Sequence, residues 1–217
     1  MKPRQLIENI KEMAGRARFE TLNPLIGPIR AHAETLAEWS VVFNLTGPGT
    51  DEQAAESLYF DSLIVAGHLA KALAGCVRID DVGSGAGFPA LFLPPLFAAE
   101  VSFVLHEARR KKASFLRFAA RSMGLANVVV SNRRVEAGSF ASDAVLSRAT
   151  LPPKDWLALA ATLIRPGGRA VLLKTGHGGA GGIVTPKNLV HESTFEYTLP
   201  LSGRERAAVV YVSRATR

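Results

Sequence analysis

A glycine-rich segment at residues 81–89 is the part of this sequence best suited to chemistry. It has the sequence Asp-Val-Gly-Ser-Gly-Ala-Gly-Phe-Pro and follows a short apolar strand, Cys76–Ile79 with Val82. Glycines let the backbone turn sharply and leave room for a ligand against main-chain atoms, and a following helix offers unpaired N–H groups. Pro89 suits the start of such a helix. The order of strand, glycines and helix predicts a site for a nucleotide-like ligand. The alternative is a tight turn that binds nothing, and this pattern marks such a turn less often than it marks a ligand site.

The glycine spacing and two nearby acids favour S-adenosylmethionine over a dinucleotide. Glu107 falls at the end of the next predicted strand, where a carboxylate can accept hydrogen bonds from both ribose hydroxyls of an adenosine. Dinucleotide folds use the same carboxylate, but the third glycine of Gly83-x-Gly85-x-Gly87 comes one position earlier than in G-x-G-x-x-G. Asp81 precedes the first glycine by two residues, and its charge suits a cationic sulfonium better than a pyrophosphate. We therefore predict S-adenosylmethionine as the cofactor.

These residues must be positioned by the surrounding strands and helices, whose pattern predicts an α/β fold with a doubly wound, mostly parallel sheet. Short apolar strands alternate with helices from about residue 75, which implies right-handed crossovers and a sheet covered on both faces. Ligands bind such Rossmann-like sheets at the carboxyl ends of the strands. After the glycine segment we predict, in order, the strand Val101–Leu105, the helix Arg109–Gly124, the strands Asn127–Ser131 and Asp143–Leu146, the helix Asp155–Ile164 closed by Pro166-Gly167-Gly168, the strand Arg169–Lys174, and a hairpin of Phe195–Leu199 with Ala207–Val212.

Before residue 75 the pattern is helical. Apolar residues recur at three- and four-residue spacing after Pro28, which suits a helix start, and residues 50–53 have the spacing of a capping box that opens another helix. We therefore predict a helical N-terminal cap over residues 1–74 and a cofactor-binding core over residues 75–217, together forming one compact unit.

The composition is that of a globular protein with a basic surface. The chain has 217 residues, 47% of them hydrophobic, and 26 Lys and Arg against 19 Asp and Glu give a net charge of +7. This excess favours a polyanionic partner. The single cysteine, Cys76, indicates a reducing compartment, so we expect a cytoplasmic protein. Glycines and prolines interrupt the longest uncharged run, Val82–Ala99, and the histidines lack metal-ligand spacing, so we expect neither a membrane segment nor a metal.

Further short motifs are spread along the chain. They are Trp39 with Asn44-Leu45-Thr46, Asp61-Ser62-Leu63, Arg110-Lys111-Lys112 followed by Phe115-Leu116, Arg134-Val135-Glu136, Ser147-Arg148-Ala149, and Leu173-Lys174. Together with the glycine segment they extend from Trp39 to about Arg206, and they resemble the bacterial 16S ribosomal RNA guanine-N7 methyltransferase family known as RsmG, or glucose-inhibited division protein B. The resemblance implies a class I S-adenosylmethionine methyltransferase fold, with 16S ribosomal RNA or the small ribosomal subunit as substrate. We expect such an enzyme to act as a monomer.

The resemblance also implies roles for individual residues. In such proteins the glycine loop and the acid matching Glu107 hold the cofactor, and the segment matching Val135-Glu136 lies beside the adenine. Carried over to this sequence, the predicted cofactor-binding residues are Asp81, Gly83, Ser84, Gly85, Gly87, Phe88, Glu107, Val135 and Glu136.

Arg148 is the predicted catalytic residue, because it follows the fourth core strand at the ligand-binding edge of the sheet. A guanidinium can donate to guanine O6 while leaving N7 free, and a surface salt bridge is the alternative role. The predicted RNA-binding residues are Arg109, Arg110, Lys111, Lys112, Lys174, Arg206 and Asn44. For the helix cations a solvated face is an equal alternative, Lys174 and Arg206 could instead pair with acids, and Asn44 could cap a helix.

The sequence departs from the family pattern at four places. Leu58 stands where a histidine is usual, Asp80 where the strand is usually apolar, and Ser40 where an asparagine is usual, while residues 176–182 are unusually glycine-rich. We expect Asp80 to face the cofactor crevice, unless it is buried and paired or protonated. These departures leave two other functions open. One is a methyltransferase of the same fold acting on a small molecule or a protein, and the other is a non-catalytic RNA-binding or assembly factor.

Overall fold

A seven-stranded sheet forms the centre of the computed structural model, which describes residues 3–16, 23–40, 51–148, 150–176 and 181–214. The strands are Arg78–Val82 (β1), Ser102–His106 (β2), Val128–Ser131 (β3), Ser142–Arg148 (β4), Ile164–Thr175 (β5), Leu189–Thr198 (β6) and Glu205–Ser213 (β7). Their order is β3-β2-β1-β4-β5-β7-β6, and every adjacent pair is parallel except those made by β7, which is antiparallel to both neighbours. The predicted α/β class and the C-terminal hairpin are confirmed.

Helices cover both faces of this sheet. The α-helices are Pro3–Arg16 (α1), Ile26–Ser40 (α2), Asp51–Ala54 (α3), Asp61–Ala72 (α4), Arg110–Ser122 (α5) and Pro153–Ala160 (α6), with a π-helical stretch, Ala55–Phe60, leading into α4. Helix α1 is amphipathic and buries residues at helical spacing, including Leu6, Ile10 and Met13. None of the helices among the described residues is long and apolar enough to cross a membrane.

Alternation along β1 divides the core into two clusters. Ile79 packs into the larger cluster with the N-terminal helices and α5, while Val82 joins a smaller cluster built around Trp156 of α6. Successive strand residues point to opposite faces, so the neighbours Asp80 and Asp81 also point in opposite directions.

The segment after the glycine loop differs from the prediction. Two 3₁₀ turns, Ala90–Phe92 and Pro94–Leu96, replace the expected α-helix. Proline lacks the N–H that an α-helix interior requires and disfavours helical backbone at the residue before it, so the consecutive Pro94 and Pro95 prevent a longer helix. The loop therefore has no α-helix N-terminus beside it.

Three other boundaries are corrected. Helix α2 begins at Ile26, after a 3₁₀ turn at Asn23–Leu25, so Pro28 lies within its first turn, where its missing N–H costs no helical hydrogen bond. Helix α6 ends at Ala160, earlier than predicted. Residues 166–168 belong to β5 rather than to a turn, and a Cβ at Gly168 would lie 3.0 Å from the carbonyl oxygen of Ser142 on β4.

Candidate active site

A cavity of about 670 Å³ opens at the carboxyl ends of β1 and β2, and we call it the glycine-loop cavity. Its size is typical of a small-molecule site. It lies beside the point where the strand order reverses between β1 and β4, which is where doubly wound sheets bind ligands. Its lining includes Leu58, Val82, Gly83, Ser84, Gly85, Ala86, Phe88, His106, Glu107, Ala108, Arg109, Lys112, Arg133, Arg134, Val135, Arg148, Thr150 and Leu151.

The structure gives each of the three loop glycines a different reason to be glycine. All three have positive φ, +79° at Gly83, +58° at Gly85 and +87° at Gly87, a region that side chains other than glycine rarely adopt. A Cβ at Gly83 would collide with the Thr150 side chain, and one at Gly87 with Leu91. A Cβ at Gly85 would meet nothing closer than a carbonyl oxygen at 3.8 Å. Gly85 is therefore the glycine that leaves the main chain open to a ligand.

Glu107 is bound to the same loop. One carboxylate oxygen accepts the N–H of Gly85 at 3.0 Å, and the other accepts the N–H of Arg109 at 2.8 Å. The side chain is buried yet lines the cavity. Because each carboxylate oxygen can accept a second hydrogen bond, Glu107 is held in a fixed orientation and still has capacity for two hydroxyl donors.

Asp81 lies under the loop. It is buried, and its Oδ2 atom has no hydrogen-bond partner among the described residues. Burial raises the pKa of this carboxyl to about 7; a hydrogen bond with Ser84 and the charge of Arg148 lower it, and the charges of Glu107 and Asp80 raise it further. Asp81 lines neither cavity, but its buried unpartnered oxygen beneath the loop places negative charge near a cationic ligand in the glycine-loop cavity.

Asp80 does not line the glycine-loop cavity, so of the two alternatives for it, facing the crevice is wrong and burial with partners is confirmed. It is buried on the opposite face of β1 from Asp81, where it pairs with Arg78 and His106, each at 2.8 Å, and accepts a hydrogen bond from Ser142 at 2.6 Å. Burial alone would raise the pKa of Asp80, but the hydrogen bonds from His106, Arg78 and Ser142 outweigh it, and the pKa is lowered. The charge in the strand is thus compensated within the core.

A second cavity of about 350 Å³ adjoins the first at the carboxyl ends of β4 and β5. Arg148, Thr150 and Leu151 line both cavities and form the wall between them. The remaining lining of the second cavity combines apolar and charged groups, among them Asp61, Pro89, Trp156, Leu173, Lys174, Tyr197 and Arg206. Two ligands bound side by side would therefore meet at Arg148.

Arg148 is held in this wall by residues that follow α3. Its guanidinium forms an ion pair with Asp61 at 2.9 Å and donates to the carbonyl oxygen of Ser57 at 2.8 Å. Asp61 also accepts a short hydrogen bond from the hydroxyl of Tyr197, and the guanidinium of Arg206 lies 3.7 Å from it. Since Asp61 is buried and the Arg148 side chain is 26% exposed, this is a partly buried cluster rather than a surface salt bridge.

The other predicted residues divide between the two cavities and the surface. Ser84, Phe88, Val135, Arg109 and Lys112 line the glycine-loop cavity, Lys174 and Arg206 line the second, and Glu136, Arg110 and Lys111 are exposed and line neither. Gly87 packs against Leu91 behind the loop. Asn44 lies outside the described residues. In the part of the chain that is described, no group of three or more His, Cys, Asp or Glu residues could hold a metal ion.

One positioning contact escaped the sequence analysis. His32 of α2 is fully buried, and its Nε2 donates to the carbonyl oxygen of Ala86 in the glycine loop at 2.9 Å, so its Nδ1 accepts from Tyr59 at 3.0 Å. Burial lowers the pKa of His32 to about 4, which keeps the imidazole neutral. A single histidine on a helix has no sequence signal for such a long-range bond.

Comparison with known proteins agrees with this geometry. The family model described as rRNA small subunit methyltransferase G matches residues 26–208. A protein of that name from Myxococcus xanthus is 31% identical over 205 residues, covering 90% of this chain and 92% of its own length. Another of that name, from Aromatoleum aromaticum, is 39% identical over 152 residues, covering 67% of this chain and 70% of its own length.

This chain belongs to the rRNA small subunit methyltransferase G family. Membership confirms the resemblance predicted from the sequence, and with it the enzyme class and the cofactor, S-adenosylmethionine. Among solved structures, a putative methyltransferase from Escherichia coli, yhhF, matches with a TM-score of 0.57 at 15% identity, covering 79% of this chain and 90% of that one. The O-methyltransferase TomG from Streptomyces achromogenes also has a TM-score of 0.57, at 16% identity, covering 85% and 90%. At such identities these two matches establish the fold alone.

Proposed function

We propose that this protein transfers a methyl group from S-adenosylmethionine to N7 of a guanine in 16S ribosomal RNA. The observation that carries the proposal is the junction of the two cavities at Arg148. A cofactor in the glycine-loop cavity and a nucleobase in the second cavity would meet beside this side chain.

The residues of the glycine-loop cavity fit the cofactor. Gly85 leaves the main chain accessible, Glu107 has lone pairs for both ribose hydroxyls, and Val135 supplies an apolar side for the adenine. Asp81 supplies negative charge under the loop, where a buried carboxyl oxygen without a partner would be compensated by a cation. When bound, S-adenosylmethionine supplies an electrophilic methyl group on a positively charged sulfur.

Arg148 positions the guanine in this mechanism. Guanine N7 has an in-plane lone pair and no proton, so its attack on the methyl group requires no general base. The protein must supply alignment, which is the main source of the rate gain. The Arg148 guanidinium donates to guanine O6 and leaves N7 free, and Asp61 and the carbonyl of Ser57 fix the position of that guanidinium.

The basic residues near both cavities bind the RNA backbone in this proposal. Arg109 and Lys112 lie at the glycine-loop cavity, and Lys174 and Arg206 lie at the second, so cations flank the wall on both sides. Arg110 and Lys111 continue the basic surface along α5, and Asn44 is assigned here on the family motif. Phosphate contacts of this kind give affinity that falls steeply as salt rises.

We further propose that residues 1–74 and 75–217 act as one compact, cytoplasmic, monomeric unit. The hydrogen bond from His32 to Ala86 and the packing of Trp39 on Phe115 of α5 support the compact unit. Analytical ultracentrifugation of the full chain tests the monomer, and a sedimenting dimer would contradict it.

The test of the function is a titration calorimetry experiment with S-adenosylmethionine, followed by methyl transfer to unmodified small subunits and to naked ribosomal RNA. We expect binding and a modified guanine whose N7 methylation is identified by mass spectrometry and by strand scission at the methylated base. Binding without transfer to either RNA would indicate a small-molecule or protein substrate, and no binding would indicate a non-catalytic factor.

A further inference from the structure

The outer face of α5 is strongly basic. The helix Arg110–Ser122 contains no Asp or Glu, and it buries Ala113, Phe115, Leu116, Ala119 and Ala120. The residues that it exposes are Arg110, Lys111, Arg117, Phe118, Arg121 and Ser122. Arg117 and Arg121 are like charges at four-residue spacing, which destabilise an isolated helix, so a bound anion would stabilise this face.

Phe118 is the unusual member of this face. Its side chain is 60% exposed, and it is the only aromatic residue among the strongly exposed large hydrophobics of the described chain. One side of its ring packs near Trp39, with 5.7 Å between the ring centroids and an angle of 54° between the planes. Trp39 is partly buried and also packs on the buried Phe115, so the rest of the Phe118 ring remains at the surface.

An exposed aromatic ring between cations is the arrangement that binds single-stranded nucleic acid. Bases stack on the ring whatever their sequence, while the cations follow the phosphates. A protein partner would favour a wider apolar patch with fewer charges, because interface cores are depleted in charged residues. Arg117 precedes Phe118, Arg121 lies about one turn further along, and both line a cavity of about 440 Å³ between α5 and β3, where the Arg117 guanidinium donates to the carbonyl oxygen of Val130 at 3.3 Å. Neither guanidinium is paired with a carboxylate among the described residues of this cavity, so charge complementarity favours RNA.

This face lies apart from the two cavities. Lys112 lines the glycine-loop cavity, and Phe118 follows it by six residues on the same helix. Six residues advance about 9 Å along the helix axis and turn through about 240°, so Phe118 lies on a different side of α5 from Lys112. The face around Phe118 is therefore a contact region separate from the site of the reacting base.

We propose that the outer face of α5 is an extended RNA-binding surface, in which an unpaired base stacks on Phe118 and neighbouring phosphates bind Arg117 and Arg121. This proposal rests on the proposed function for its substrate class, RNA. It adds a second contact region, remote from the reacting base, that determines how tightly the substrate binds rather than how fast it reacts.

The stacking is tested with the full chain and a fluorescein-labelled 12-nucleotide single-stranded RNA of mixed sequence, by fluorescence anisotropy. Phe118→Ala is expected to weaken binding roughly five- to hundredfold, the range for losing one base–aromatic stack. Phe118→Leu, which keeps an apolar side chain without a π face, is expected to weaken it similarly. The matched control is Val184→Ala, which removes an equally exposed apolar side chain from the β5–β6 connection and should leave the Kd unchanged.

A 12-nucleotide strand with abasic positions separates stacking from charge. Wild-type protein should bind the abasic strand more weakly than the complete RNA, and Phe118→Ala should bind both about equally. Arg117→Gln and Arg121→Gln should each reduce the slope of log K against log salt by about 0.7, while Arg4→Gln on α1 should not change it. Equal binding of complete RNA by wild type and Phe118→Ala, within twofold, would overturn the proposal.

These readouts are independent of the proposed function. If the protein fails to methylate ribosomal RNA but the Phe118 variants still lose oligonucleotide affinity, the function fails and the surface stands. If methylation of the small subunit is intact and Phe118→Ala weakens binding to the subunit but not to naked RNA, a ribosomal protein is the partner and the surface proposal is wrong. Stacking predicts a raised KM for RNA in Phe118→Ala, with kcat and cofactor affinity unchanged.

Discussion

The guanidinium of Arg148 forms a 2.9 Å ion pair with the carboxylate of Asp61, at the wall that separates the two cavities. Asp61 is also the acceptor for Tyr197 and lies near Arg206, so one buried carboxylate joins the helical N-terminal part, β4 and the C-terminal hairpin. The orientation of the predicted catalytic side chain of β4 thus depends on two distant parts of the chain.

The first prediction concerns this pair. Arg148→Ala should reduce kcat by at least about a hundredfold with little change in the Kd of S-adenosylmethionine, because the contact acts on the nucleobase. Asp61→Asn, which keeps the shape and the Tyr197 contact, should reduce kcat about tenfold or more by releasing the guanidinium. Combining the two substitutions should cost little more than Arg148→Ala alone, and fully additive losses would show that Asp61 does not act through Arg148.

The second prediction concerns the carboxylate of Glu107. Glu107→Ala should weaken cofactor binding by about 1–3 kcal/mol, because the ribose hydroxyls lose their acceptors. Glu107→Gln should also weaken binding, since its amide would place an NH₂ against the N–H of either Gly85 or Arg109. Titration calorimetry measures both, and Glu192→Gln, on the β6 strand, is the control. An unchanged Kd in Glu107→Ala would remove the residue from the site.

The third prediction uses the raised pKa of Asp81. Because this pKa is about 7 in the folded protein without cofactor, the carboxyl is mostly protonated at pH 6 and mostly charged at pH 8. A cationic cofactor favours the charged form, so affinity should rise about tenfold between these pH values and binding should release a proton. Calorimetry in buffers of different ionisation enthalpy counts that proton. Asp81→Asn should remove this part of the pH dependence, and equal proton release by both proteins would contradict the role.

The same shift has a consequence for stability. The pKa of Asp81 is raised on folding, so its contribution to the free energy of unfolding is greatest below the unfolded pKa, near 4, and is lost as the pH rises through about 7. Asp81→Asn removes the titrating carboxyl, so the variant does not lose this contribution to stability as the pH rises. The variant should therefore gain stability relative to the wild type on going from pH 5 to pH 8, which urea unfolding at the two pH values measures.

The fourth prediction concerns His32, whose pKa burial lowers to about 4. Its unfolded pKa is near 6.5, so the unfolded chain takes up the proton first and the free energy of unfolding falls as the pH drops from about 6.5 to about 4. The full difference corresponds to about 3 kcal/mol. Burial also lowers the pKa of His68, which acts in the same direction, so the comparison of wild type with His32→Gln isolates the effect.

His32→Gln keeps a side-chain N–H that can reach the carbonyl oxygen of Ala86 and cannot take up a proton in this range. Urea unfolding at pH 7.5 and pH 5 should show a smaller loss of stability for this variant than for the wild type. His191→Gln, at an exposed position on β6, serves as the control and should behave like the wild type. If His32→Gln and the wild type lose the same stability, His32 is not the group that titrates.

Much of the fold and part of the site could be predicted from the sequence because they depend on local patterns. Alternating and helical periodicities predict the strands and most helices, and the glycines with Glu107 predict which end of the sheet has the ligand cavity. The prediction of an α-helix after Pro89 is wrong because Pro94 and Pro95 limit this segment to two 3₁₀ turns, whereas Pro89 by itself suits a helix start. Strand alternation also predicts that Asp80 and Asp81 lie on opposite faces of the sheet, but it does not predict which face meets the ligand.

The tertiary structure decided which distant side chains meet. Asp80 is compensated by Arg78, His106 and Ser142, and no spacing along the chain indicates that this set assembles inside the core. No spacing along the chain indicates the hydrogen bond from His32 to Ala86 or the ion pair of Asp61 with Arg148 either. Backbone conformation is governed by residues a few positions away, so a sequence reveals it. The pairing of buried polar groups is governed by which strands and helices pack together, and the desolvation of each charge is compensated only by partners that packing brings near.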